Sequence, residues 1–362
     1  MARIADTVKE SKTMNATTPS IAAQKPRHIG PFRAALRFLL AVLYFLLAKV
    51  FADHGARGLV AEDWTPLVGQ AMLVFLLVLG YAGLGFVLDG QLQPVSQQGL
   101  KPRAGWLGEV GIGLAAGWAI AVACVLPMVI FGGIALRLSL NWPSFGWLAA
   151  DAAFFALATL AMQVAFRGYP FQCAIRAIGE LPASLVMAVL YGILYAWLPG
   201  ASRASMAVNV ALGLLLAMAY LRTRAVWLPW GLHFGWVASR ALLFGLTING
   251  NGRHSPVIQG DTFGPLWLTG GEFGLDGSWM AFFVMLLAMP FVYRATRDLS
   301  FHYNAPVLEP GGMPVDLDAA ARKQHEAATR EAAPEVKPLV QILPAGSPAP
   351  LPLASDLDGH RE

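Results

Sequence analysis

Apolar residues in this chain gather into long runs separated by short polar stretches. Eight runs stand at roughly 34–52, 66–88, 108–136, 145–165, 182–198, 204–221, 226–247 and 278–296. Most approach the roughly 20 residues with which a helix crosses about 30 Å of hydrocarbon. The pattern therefore predicts an all-α fold, a polytopic transmembrane helical bundle of about eight spans. Pro127 lies inside the third run and predicts a kink or tilt there. The fifth run, closed by Pro199, is short for a full crossing. No repeat of fixed period is visible.

The ends of the chain read differently. Residues 1–33 are polar, with six Lys or Arg, and read as a disordered cytoplasmic tail. Val50 and Ala52 imitate a signal-peptide cleavage site, but the basic leader is too long and Lys49 interrupts the apolar run. Residues 299–362 read as a second, mostly disordered cytoplasmic tail, with room for a short charged helix around 316–332. The bundle itself is expected over 34–298.

Composition sharpens the membrane reading. The chain is 56% hydrophobic and 13% charged, against roughly 25% charged in an ordinary soluble domain. A formal charge of +4 is too small to suggest a nucleic-acid partner. Two cysteines, Cys124 in an apolar run and Cys173 in a polar loop, read as free thiols.

Where the basic residues fall matters more than their sum. The first tail, the loops 89–107, 166–181 and 222–225, and the end of the last run hold fourteen Lys and Arg together. The alternate loops hold four, namely Arg57, Arg137, Arg203 and Arg253. By the positive-inside rule, both termini are expected in the cytoplasm, with the bundle in a bacterial inner membrane.

Polar groups inside spans are costly and mark functional positions by default. They are Asp151, Gln163 and Arg167 in the fourth run, Asn209 in the sixth, and His233 and Arg240 in the seventh. Gln163 and Arg167, four apart, share a helix face. The structural alternative has Arg167 snorkelling to the interface, Asn209 bonding between helices, and Gln163, Arg167 and His233 holding helices together. No HExxH, GxSxG, P-loop or CxxC pattern occurs.

Three stretches carry a resemblance. "AMQVAFRGYPFQ" (161–172), "YGILYAWLPGAS" (191–202) and "NVALGLLLAMAYLRTRAVWLPWGLHFGW" (209–236) follow one another. In order and spacing they resemble the CPBP family, the CAAX-protease and bacteriocin-processing intramembrane proteases. "QPVSQQGLKPRAGWLGE" (93–109) and "GPLWLTGGEFGLDGSW" (264–279) look like segments of one bacterial branch. The resemblance covers roughly 35–296 and implies a CPBP-type bundle. It also implies peptide hydrolysis within the membrane, in which a glutamate activates water while histidines and an asparagine stabilise the oxyanion.

This sequence departs from that pattern at its reactive positions. The family's paired glutamates fall on Met162 and Gln163, with the arginine kept as Arg167. The Phe and His of its second motif fall on Tyr191 and Tyr195, and its loop asparagine on Leu198. His233 is kept, but the usual asparagine four residues on is Val237. An amide accepts no proton near neutral pH, and a tyrosine with a pKa near 10 is a poor general base. Asp151 stands roughly 18 Å along the helix from Gln163, too far to substitute. One histidine is too few ligands for a catalytic zinc, so no metal or cofactor is expected.

The expectation is therefore a catalytically silent bundle that binds or scaffolds a lipidated or transmembrane peptide among membrane lipids. An active endopeptidase is the alternative, and it requires a carboxylate within about 4 Å of His233. A transporter or channel, motivated by Asp151, Asn209 and Arg240, requires a continuous polar path.

Overall fold

The computed structural model describes residues 30–131, 133–250, 257–297 and 299. Most of the expected N-terminal tail, and nearly all of the C-terminal one with its helix around 316–332, lie outside the described residues.

Each of the eight apolar runs contains a helix. α1 (Pro31–Leu59), α2 (Thr65–Asp89), the short α3 (Pro94–Gln97) and α4 (Trp106–Ile130) come first. A strand β1 (Ile134–Leu138) leads into α5 (Trp142–Arg167), α6 (Tyr169–Ile178), α7 (Glu180–Ala196), α8 (Arg203–Thr223) and α9 (Trp227–Ala238). α9 continues as a π-helical turn, Ser239–Leu243. Strand β2 (Ile258–Thr262), α10 (Leu266–Thr269) and α11 (Trp279–Ala295) complete the described part. Five helical segments are long and apolar enough to cross a membrane, while α7 and α11 are apolar but shorter. The architecture is an all-α polytopic bundle, and the protein is an integral membrane protein.

Local chemistry sets the helix ends. Pro31 opens α1, where its fixed φ suits the first turn and its missing N–H has no partner to lose. Gly90 closes α2 at φ 66°, a left-handed cap that glycine adopts without strain. Ser202 and Ser205 cap α8 reciprocally, each side chain bonded to the other's backbone N–H. Because α1 starts at Pro31, residues 31–33 belong to the bundle rather than to the tail.

Three expectations need correction. The third run ends as a helix at Ile130, and 134–138 form a strand paired antiparallel with 258–262, from Ile134 opposite Thr262 to Leu138 opposite Ile258. Its partner lies 120 residues or more away, so no local signal announces it. The polar loop at 166–181 contains α6, which buries Phe171, Cys173 and Ala174 and exposes Arg176 only partly. Cys173 is thus buried in a helix, although it is a free thiol, as is Cys124.

The segments expected on one side of the membrane meet at one end of the bundle. Asp89 accepts from Arg37 and from Arg176, the latter at 2.8 Å. Arg103 pairs with Glu109 at 2.9 Å and donates to the Thr223 carbonyl at 2.8 Å. Arg224 pairs with Glu180, and the Val226 N–H donates to the Gly99 carbonyl at 3.1 Å.

α4 and α9 touch backbone to backbone along a glycine seam. Gly113 and Gly117 on α4 face Leu228, Leu232 and Trp236 of α9, while Gly231 and Gly235 of α9 face Val110 and Leu114 of α4. A Cβ at any of the four would collide with a main-chain carbonyl oxygen of the other helix. Small residues four apart on both helices permit this approach, which dispersion and close packing stabilise in a membrane. The seam fixes the position of α9, and α9 carries His233.

Candidate intramembrane site

His233 is buried, and both of its ring nitrogens have partners. Gln163 Nε2 on α5 donates to His233 Nδ1 at 2.9 Å. With Nδ1 accepting, the ring proton sits on Nε2, which donates to the Tyr191 hydroxyl of α7 at 3.1 Å. The Tyr191 hydroxyl in turn donates to Tyr195, one turn further along α7, at 3.3 Å. A single directed chain, amide to imidazole to phenol to phenol, thus ties α5, α9 and α7.

Arg167 is close to this chain without joining it by a hydrogen bond. Its side chain is 1% exposed, its Nη2 donates to the Gly213 carbonyl of α8 at 2.8 Å, and its guanidinium lies 5.5 Å over the Tyr191 ring. It turns inward, tying α5 to α8, and does not snorkel. Its approach to α8 is helped by Gly213, which packs against Ala188 of α7. Arg167 Nε and Nη1 and Gln163 Oε1 are buried without a hydrogen-bond partner. Such atoms are costly in a dry interior and suit a guest or water that could meet them.

A cavity of about 150 Å³ adjoins the chain. Met162, Tyr191, Tyr195, His233 and Val237 line it, so five of the substituted or retained motif positions share one space. Gln163 and Arg167 stand behind that wall. Asn209 lines the cavity as well, but its Nδ2 donates to the Ser205 carbonyl of its own helix at 2.9 Å instead of bridging helices. Asp151 is not among the lining residues, and Leu198 lies beyond the end of α7.

The far wall holds a second cluster. Arg240, in the π-helical turn, donates from Nη1 to Asp276 Oδ2 at 2.6 Å, and both side chains are buried. Trp236 Nε1 donates to Asp276 Oδ1 at 3.3 Å, and the Arg240 guanidinium stacks 3.8 Å from the Trp236 ring. Asp276 was missed in the sequence because it sits in a glycine-rich stretch outside the apolar runs. The signal that finds it is Arg240, since a buried guanidinium in an apolar helix requires a counter-charge. The π-helical turn widens the backbone where Arg240 enters, as such turns often do at functional sites.

The donor set limits the chemistry. Among the described residues, no carboxylate forms an ion pair with His233, and no group of three His, Cys, Asp or Glu could hold a metal ion. What the site offers is a polar, aromatic-walled recess with hydrogen-bond donors and acceptors on one side and a neutralised ion pair on the other.

No curated protein and no solved structure matches the chain. A family model does match, described as type II CAAX prenyl endopeptidase Rce1-like, over residues 144–239. That interval takes in α5 through α9 and so contains Gln163, Arg167, Tyr191, Tyr195 and His233. Over α5 to α9, which build most of the cavity wall, the chain is similar to type II CAAX prenyl endopeptidases, in line with the resemblance its motifs carry.

Proposed function

We propose that this protein is a catalytically silent relative of the CAAX-type endopeptidases, binding a lipidated or transmembrane peptide without cutting it. The observation that carries this reading is the Gln163–His233 hydrogen bond. Where hydrolysis would need a carboxylate to take a proton from water, an amide donates to the histidine instead. Tyr191 engages the other ring nitrogen, so His233 has no lone pair left to act as a base. The Rce1-like match supports the family chemistry as the origin of the scaffold.

At about 150 Å³ the cavity has room for one inserted side chain rather than an extended peptide, since water takes about 30 Å³ per molecule. The guest we envisage lies mainly between helices and projects one side chain beside Tyr195 and Asn209. The excess of Lys and Arg in alternate loops supports an inner-membrane location in a bacterium with both termini cytoplasmic.

An active endopeptidase with an altered residue set is the second reading; Asp276 lines the same cavity as His233, but among the described residues no carboxylate lies within 4 Å of that histidine, as this reading requires. Against it, the Asp276 carboxylate already accepts from Arg240 and Trp236.

The test uses purified protein in detergent with a fluorescent prenylated peptide. Binding without cleavage is expected from the wild type, and Met162→Glu with Gln163→Glu should confer measurable cleavage. Wild-type cleavage that disappears in His233→Ala would overturn the proposal. If Asp276→Asn also removes that cleavage, the second reading takes its place.

A further inference from the structure

On the outer face of the bundle, away from His233, a groove of about 560 Å³ runs between α4, α9 and α11. We infer that it holds one anionic phospholipid, with an acyl chain in the groove and the phosphate at Arg294, near the end of α11.

The shape of the groove comes from the sequence. Ala115, Ala119 and Ala123, each one turn apart on α4, form its floor. Leu287 and Phe291 of α11, both exposed, form one wall. Small residues facing large ones leave a trough with apolar sides, which in a bilayer an acyl chain fills.

Its depth selects the occupant. From Ile112 to Ala123 the α4 lining spans about 16 Å at 1.5 Å per residue, roughly half of the ~30 Å hydrocarbon core. That is the depth of one leaflet. A transmembrane helix or a second copy of this chain would call for a seam through the full thickness.

The polar end of the groove is equally defined. Leu228, at the start of α9, and Thr296, just past α11, line it. At this level the Trp106 and Trp227 rings pack 4.8 Å apart, and Trp227 Nε1 donates to the Lys101 carbonyl at 3.4 Å. Such indoles mark the headgroup level. Arg222 donates to Thr296 Oγ1 at 3.4 Å and to the Tyr293 carbonyl at 3.3 Å, with its guanidinium 4.2 Å over the Tyr293 ring, and so ties α8 to the end of α11 at the groove mouth. Arg294 is exposed and stands three and seven residues after Phe291 and Leu287, on the same edge of α11. An exposed guanidinium at the mouth suits a phosphate, which it can hold by paired N–H donors. Each basic residue near the membrane surface favours an anionic lipid roughly fivefold.

Native mass spectrometry of the full chain, released from detergent with equimolar phosphatidylglycerol and phosphatidylcholine of identical chains, tests this. One retained phosphatidylglycerol is expected, favoured about fivefold. Arg294→Ala should cut that preference about fivefold without reducing total lipid occupancy. Ala119→Trp, which fills the trough from an exposed position, should remove the bound lipid of both kinds. Equal retention of the two lipids by the wild type, or an unchanged preference in Arg294→Ala, would overturn the inference. So would an undiminished phosphatidylglycerol adduct in folded Ala119→Trp, and Ala115→Trp repeats that arm if the first variant does not fold.

Discussion

Two polar clusters face each other across one cavity, and α9 with its π-helical turn supplies a member to each. His233 anchors the first, and seven residues on, about 10 Å along the helix, Arg240 anchors the second. The His233 chain is uncharged apart from Arg167 behind it, and it leaves Gln163 Oε1 and two Arg167 nitrogens buried and unpartnered. The Arg240–Asp276 pair is charged, and none of its side-chain atoms is among those buried unpartnered atoms. Complete satisfaction is what a structural tie requires, because an ion pair in low dielectric is stable only with its lone pairs and protons engaged. Incomplete satisfaction just behind a cavity wall is not what such a tie requires, and it leaves polar atoms that a small shift or a water could complete. On the function proposed above, the Arg240 side holds the bundle and the His233 side meets a guest.

The largest effect should come from breaking the charged pair. Asp276→Ala leaves the Arg240 guanidinium buried without a counter-charge, and removing one partner of such a pair costs about 3–5 kcal/mol. Unfolding in mixed micelles with rising sodium dodecyl sulfate should show that loss. Replacing both residues, Arg240→Leu with Asp276→Leu, should recover most of it. A loss below about 1 kcal/mol in the single variant would erase the distinction between the clusters.

A middle-sized effect is expected from the glycine seam, which positions both clusters at once. Gly117→Val drives a branched side chain into the Leu232 carbonyl and the Trp236 backbone. Overpacking of this kind costs typically about 1–3 kcal/mol, and the displaced α9 should weaken peptide binding as well. Gly111→Ala, six residues earlier on α4 with nothing within 4 Å, is the control; it should leave binding unchanged and stability unchanged or slightly raised. If the control behaves like Gly117→Val, the seam is not what fixes α9.

How much of this was legible in the sequence follows from the range of the interactions. Eight helices were legible because hydrophobic length is a local property, and motif order gave the family region. Gln163, Tyr191, Tyr195 and His233 were legible as motif positions, but their bonding order was not. Nothing in a sequence says that Tyr191 would bridge His233 and Tyr195, or that Arg167 would turn toward Gly213. The β1–β2 pair and the Arg240–Asp276 tie were missed because their partners lie far along the chain. α6 was missed because its period of buried Tyr169, Phe171, Cys173 and Ala174 is short and interrupted by Gln172 and Arg176. The glycine seam was written in the spacings 113/117 and 231/235, yet only the fold shows that these two helices face each other.

The smallest effect on stability should come at the open end of the hydrogen-bond chain, and there the comparison is sharpest. Tyr191 stands mid-chain, so Tyr191→Phe removes an acceptor for His233 Nε2 and a donor to Tyr195 together. Side-chain hydrogen bonds within membranes average about 0.6 kcal/mol and reach about 1.7, and this variant should fall within that range. Tyr195 ends the chain on the cavity wall, where its hydroxyl receives one bond at 3.3 Å. Tyr195→Phe should therefore change unfolding by less than Tyr191→Phe does. Its hydroxyl proton, however, is not used within the chain, because Tyr191 is the donor between them. That proton is free to reach an acceptor on a guest side chain. Tyr195→Phe should accordingly weaken binding of the prenylated peptide by about three- to tenfold, the equivalent of one hydrogen bond, as read by fluorescence anisotropy. A structural tie would show the opposite ratio, with stability moving more than affinity. Such a result would place the His233 chain in the same class as the Arg240 pair.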